Sequence, residues 1–198
     1  MDYVKELDAI VKKHIGPAVR DAGFAGSGSH YRRVTGDDLL QVVSIERGAR
    51  NTADWVTWTY NIGFAGTRLG RAGRSAPDSK RLRAEQCAHF LRFGQVLAWV
   101  DDAPPCDYWY DMMCAGLADN VAGRRRWQLE HADEAEVRRT VARLNELRSR
   151  YDPTKPREAA RTVADDLARY VVGFVDRVRT QEDVIAIVRE TRAVLHWV

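Results

Sequence analysis

Residues 55–64 read Trp-Val-Thr-Trp-Thr-Tyr-Asn-Ile-Gly-Phe, and the fold turns on this stretch. Val56, Trp58, Tyr60, Ile62 and Phe64 occupy every second position, with Trp55, Thr57, Thr59 and Asn61 between them. Side chains alternate across a strand, so a period of two predicts a strand with one apolar face to bury and one largely polar face.

Working outward, His30 to Val34 and Leu39 to Arg47 read as two more strands, joined by a hairpin at Gly36-Asp37. Before them, Gly23, Gly26 and Gly28 with Ser27 and Ser29 read as a loop. Tyr3, Leu7, Ile10, Val11, His14 and Ala18 recur at helical spacing, so the first twenty or so residues read as an amphipathic helix that Gly16-Pro17 should kink or break.

On the C-terminal side, 66–79 has no periodicity and is expected to be a mobile surface loop. Asp78 or Ser79 would then cap a helix whose apolar side is Leu82, Phe90, Leu91 and Leu97. Tyr108-Trp109-Tyr110 with Met112 suits a fourth strand, and the alternation of Arg125, Trp127 and Leu129 suggests a fifth. Asp133 and Glu136 open a helix carrying Val137, Val141 and Leu144. Pro156 opens a long helix with a buried stripe of Val163, Leu167, Tyr170, Val171, Phe174 and Val178. Thr180 caps a last one bearing Val184, Ile187, Val188 and Leu195. The expectation is one α+β domain over 1–198: about five mostly antiparallel strands with an N-terminal helix and C-terminal helices packed on one face.

Composition narrows the setting. With 45% hydrophobic and 30% charged residues the chain is ordinary globular material. The opening MDYVKELDAIVKKH mixes acids and bases and lacks a secretory apolar run, and the longest apolar stretches, such as Val96 to Val100, are far short of a membrane span. Cys87, Cys106 and Cys114 are odd in number and irregularly spaced, which fits a reduced cytoplasm. No membrane partner is expected.

The sequence is similar to the bacterial "domain of unknown function 4304" family along most of its length. The resemblance is carried by IGPAVRDAGFAGSGSHYRR (15–33), QVVSIERG (41–48), YNIGF (60–64), EQCAHFLRFG (85–94), DYWYD (107–111) and YVVGFVDRV (170–178). Asn61-Ile62-Gly63 stands where members carry Asn-Leu-Gly, and Glu46 stands where they carry Gln. The resemblance implies a fold and a bacterial, cytoplasmic setting, and assigns no activity.

Linear motifs for chemistry fail for stated reasons. Cys87 and His89, read on a helix, would diverge by about 200° around its axis and share neither an ion nor a proton. Cys106 and Cys114 have no histidine nearby in sequence to activate them. The acid pairs Asp37-Asp38, Asp101-Asp102 and Asp165-Asp166 read as turn and surface residues. The stretch Gly26 to Ser29 leads into a strand and lacks a phosphate-loop lysine. No metal, cofactor or catalytic residue is expected, and the balance leans away from an enzyme.

Two surfaces remain. One is the polar-aromatic strand face, with Arg32, Trp55, Thr57 and Asn61 joined by Tyr108 or Trp109, a composition suited to a protein partner or a second copy of the chain. The other is basic: Arg68, Arg71, Arg74 and Arg81, with Arg124, Arg125 and Arg126, offer guanidinium groups to nucleic acid. Binding to a protein is the leading expectation, an immunity-type inhibitor being one example. A small-molecule binder or enzyme with a pocket between sheet and helices comes second, and nucleic acid third.

Overall fold

A computed structural model of the 198-residue chain describes residues 1–69, 82–102, 108–117 and 135–194. Helices α1 (Tyr3–Ile10) and α2 (Gly16–Asp21) are joined by a wide π-type turn, Val11–Ile15. Strands β1 (Ala25–Ser27), β2 (His30–Val34), β3 (Leu40–Arg47), β4 (Trp55–Ala65) and β5 (His89–Arg92) follow. Then come α3 (Phe93–Asp101), β6 (Tyr110–Met113) and α4 (Ala135–Arg148). The last elements are α5 (Pro156–Asp166), a second wide turn (Leu167–Val172), α6 (Gly173–Val175) and α7 (Gln181–Val194).

Among the described residues six antiparallel strands form the sheet, in the order β1-β2-β3-β4-β5, with β6 also pairing β4. Strand β4 is long enough to host two neighbours on one edge: Asn61 to Phe64 pair with β5, and Trp55 to Trp58 pair with β6. Its alternating pattern is realised, since Val56, Trp58, Tyr60, Ile62 and Phe64 are all at most 1% exposed. They pack with Val43 and Ile45 of β3 against Leu7, Ile15 and Val19 at the N-terminus and Val163, Leu167 and Phe174 near the C-terminus. Each such buried side chain contributes about 1.5–3 kcal/mol. Helices therefore cover one face from both ends of the chain, as in an α+β fold. No described helix is long and apolar enough to cross a membrane.

Several local expectations change. Gly16-Pro17 does not break the first helix: the two residues open α2, where the missing proline N–H costs little. The Gly-Ser stretch is a hairpin, Ser27 pairing His30 around Gly28, whose φ of +62° suits a tight turn. The helix expected from Asp78 or Ser79 is instead a single 3-10 turn (Ala84–Gln86), strand β5 and only then α3. Leu91 and Leu97 are both buried, but in two elements, and Phe90 points away from them at 43% exposure. Spacing alone merged a strand with the helix that follows it. Most of the loop expected at 66–79 and the whole strand around Arg125, Trp127 and Leu129 lie outside the described residues.

Asp166, read as a surface acid, is 1% exposed. Its carboxylate accepts from Tyr110 Oη at 2.7 Å and from both terminal nitrogens of Arg150. Asp101 likewise accepts from Arg143 Nη2 at 2.5 Å and from Tyr170 Oη at 3.1 Å, tying α3 to α4 and to the second wide turn. Asp102 and Asp38 do sit at turns, with positive φ values of 50° and 52°.

Candidate functional site

The sheet face away from the helices carries the polar positions of β2, β3 and β4. Register places His30 opposite Ser44, Ser44 opposite Asn61, and Asn61 opposite Arg92, so one row of polar residues crosses four strands. Over this row lies the segment from Leu82 to Ala88. Ala84 N–H donates to Ser44 Oγ at 3.2 Å, and Arg32 Nε donates to the Leu82 carbonyl at 2.7 Å. The close approach is possible because position 63 has no side chain: a Cβ there would stand 2.6 Å from Cys87 Sγ and 2.7 Å from Ala84 Cα. Leu82, Ala84 and Cys87 form a small second core on Val42.

Asn61 is fully buried beneath this segment. Its Nδ2 donates to Glu46 Oε2 and to Glu85 Oε1, each at 2.7 Å, while its Oδ1 is buried with no partner. Glu46 also pairs with Arg92 at 3.7 Å, and the Arg92 guanidinium lies 5.8 Å from the centre of the Trp109 ring. His30 Nδ1 is 3.1 Å from Ser44 Oγ. Burial, then Arg83 and Arg32, hold the His30 imidazole below its ordinary pKa, so it is neutral near pH 7. Ser44 Oγ thus accepts from the Ala84 N–H and lies within hydrogen-bond distance of His30 Nδ1. Roofed by Ala84 and 1% exposed, its hydroxyl is not presented to a substrate.

The residues singled out from sequence separate into groups. Arg32, Asn61 and Trp109 belong to the neighbourhood just described. Trp55 and Thr57 lie toward the other end of β4, about 20 Å away for Trp55 at strand rise, and serve the β3–β4 connection. There Asn51 Oδ1 accepts the Thr57 N–H at 2.8 Å, and the Trp55 N–H meets Thr52 Oγ1 at 3.2 Å. Tyr108 is fully buried on the helix side, where its hydroxyl donates to the Leu147 carbonyl at 3.3 Å. Its own carbonyl accepts from Thr59 Oγ1 at 2.8 Å. Of the basic set, Arg68 pairs with Glu182 of α7, and Arg71, Arg74, Arg81, Arg124, Arg125 and Arg126 lie outside the described residues.

Sequence reasoning passed over Ser44, Glu85 and Arg92, and marked Glu46 only as a departure from the family pattern. Ser44 and Glu46 were accessible as outward positions of an alternating strand; Glu85 and Arg92 were hidden by the helical reading of their segment. That reading also misplaced Cys87 and His89: Cys87 packs on the outer face, whereas His89 registers with Phe64 of the inner face. Burial pushes the Cys87 thiol up to about 12, which leaves it protonated and unreactive where it sits. Among the described residues no group of three histidine, cysteine or acidic side chains could hold a metal ion.

The arrangement also coincides with a family. A model for a domain of unknown function (DUF4304) matches residues 15–146, most of the chain and all six described strands. The chain belongs to the DUF4304 family. The row from His30 to Arg92 and the segment over it all fall within the DUF4304 match. No curated protein and no solved structure matches the chain.

Proposed function

We propose that this DUF4304 protein is a non-catalytic binding protein that recognises a protein partner through the outer sheet face beside the 82–88 segment. The observation that carries the reading is the grouping of Phe90, 43% exposed, with Arg92 and Trp109 on the side of the sheet that the described helices leave uncovered. A guanidinium beside an indole ring and an exposed phenylalanine are side chains from which interface hot spots are built. An immunity-type inhibitor is one protein of this kind. A reduced bacterial cytoplasm goes with the reading, supported by the free thiols of Cys87 and Cys114.

The test is paired capture. Immobilised protein and its Phe90→Asp, Trp109→Ser variant are exposed to the same lysate, and any species retained only by the first is purified and titrated against both. A partner that binds the unaltered protein and loses at least about 2 kcal/mol on the variant supports the proposal. A purified partner that binds both equally, or no difference in capture between two equally stable proteins, sinks it. Sedimentation of the purified protein tests a second copy as the partner.

A second reading, a small-molecule binder, is favoured by the polar row in which the buried Asn61 amide donates to Glu46. That row lies on the outer face, whereas the pocket expected from sequence lay between sheet and helices.

A further inference from the structure

We propose that Glu46, Asn61 and Glu85 form a binding site for a divalent cation, Ca²⁺ or Mg²⁺, held by oxygen atoms alone on the outer face of the sheet. The ion needs neither Phe90 nor Trp109, so this site stands or falls apart from the partner surface.

Three parts of the chain meet here: β3 brings Glu46, β4 brings Asn61, and the 82–88 segment brings Glu85. Glu46 Oε2 and Glu85 Oε1 each lie 2.7 Å from the same nitrogen, Asn61 Nδ2, so the two carboxylate oxygens stand no further apart than twice that distance. A neutral amide does not balance two negative charges. Arg92 approaches Glu46 only to 3.7 Å, beyond hydrogen-bond reach, and among the described residues Glu85 makes no ion pair.

The other atom of the amide points independently to a ligand. Asn61 is 0% exposed, and its Oδ1 is buried with no partner. Buried polar atoms are nearly always bonded, so a buried acceptor beside two carboxylates calls for an electropositive group. The amide has nearly the same shape either way round, and a half-turn about its Cβ–Cγ bond sets Oδ1 where Nδ2 stands, 2.7 Å from each carboxylate oxygen. Oxygens so spaced can share one ion, whose bonds to them are about 2.3–2.6 Å long for Ca²⁺ and about 2.0–2.1 Å for Mg²⁺. Water completes the coordination from the side of Glu85, which is exposed. Carboxylate and amide oxygens, without sulfur or imidazole, select a hard cation over zinc.

The test uses the full-length protein, stripped with EDTA and titrated separately with CaCl₂ and MgCl₂ against NaCl at equal ionic strength. Calorimetry reads the binding, and nuclear magnetic resonance follows the side-chain NH₂ group of Asn61. One ion per chain is expected, with a dissociation constant of about 1 mM or tighter, and the Asn61 NH₂ resonances should shift on saturation because the amide turns. The tighter of the two salts names the ion. Glu46→Gln and Glu85→Gln keep the shape of each side chain and remove its charge, so each should weaken binding about tenfold or more. Asn61→Asp exchanges the neutral ligand for a charged one and should tighten binding about tenfold; should this buried change prevent folding, the two glutamine variants decide. The proposal is overturned if neither salt binds saturably up to about 10 mM, if either glutamine variant binds as tightly as the unaltered protein, or if the Asn61 resonances stay in place on saturation.

Discussion

At the scale of single residues, position 63 decides whether the outer face can form. A side chain there would meet not only Cys87 Sγ but also the backbone of Ala84, at 2.7 Å from its Cα and 2.8 Å from its carbonyl oxygen. A backbone cannot step aside as a flexible side chain can. Gly63→Ala is expected to destabilise the protein by about 1–3 kcal/mol, as overpacking does, and to speed labelling of Cys87 by loosening its cover. Urea denaturation with thiol labelling checks both; unchanged stability would show that the segment accommodates a methyl group at no cost. Asn61 is the other decisive residue. The sequence marked it as outward-facing on a strand, which it is, but it could not mark it as buried. Its cover comes from a segment some twenty positions further on, whose own spacing suggested a helix.

At the scale of elements, strand β3 is fastened to the C-terminal helices by one buried side chain. Gln41 Nε2 donates to the Val175 carbonyl at 3.0 Å, which also accepts the Val178 N–H at 3.3 Å, and to the Val178 carbonyl, just beyond the C-terminal end of α6. Its Oε1 accepts from Arg33 Nε at 2.7 Å, and Arg33 Nη2 continues to Asp176 at 2.6 Å. Gln41→Leu would fill similar volume yet leave those carbonyls without this donor. A loss of about 2–3 kcal/mol is expected by chemical denaturation, and a loss below a few tenths of a kcal/mol would mean that water replaces the amide. The element pattern also shows where periodicity suffices. Helix α5, the turn after it and α6 together bury Val163, Leu167, Val171 and Phe174, and β4 buries alternate residues, because each long run presents many turns or pleats to one core. Strand β5 has four residues and runs directly into α3, too short for a period of two to be separated from one of 3.6. Thr180 caps α7 through a reciprocal pair, donating its N–H to Asp183 Oδ2 at 2.8 Å and accepting from the Asp183 N–H at 3.2 Å. That local signal was legible because every atom of it lies within four residues.

At the scale of the whole molecule, the buried contact of Asp166 with Tyr110 and Arg150 links α5 to β6 and to the segment following α4. Burial raises the Asp166 carboxyl above its ordinary 3.8, outweighing the opposite pull of Arg150 and Tyr110. The folded protein thus keeps this proton to a higher pH than the unfolded chain does. The stability due to the protonated form is fully present below 3.8 and is lost as pH rises through the raised folded value. Asp166→Asn has no proton to lose, so its stability deficit relative to the unaltered protein should shrink as pH rises upward from 3.8. Denaturation curves of both proteins between about pH 4 and pH 7 measure this; a deficit that instead grows with pH would show that the ion pair outweighs burial. By itself the sequence determined the class of fold, the strand β4 with its two faces, the helices at both ends and the family, because these follow from local periodicity, capping and residue pattern. Only the tertiary structure decided that β4 shares one edge between two strands, that Asp166 is buried, and that Glu85 meets Asn61 over the row from His30. Each of those contacts joins residues far apart in sequence whose types are common on surfaces, and burial is conferred on them by elements whose placement no local pattern encodes.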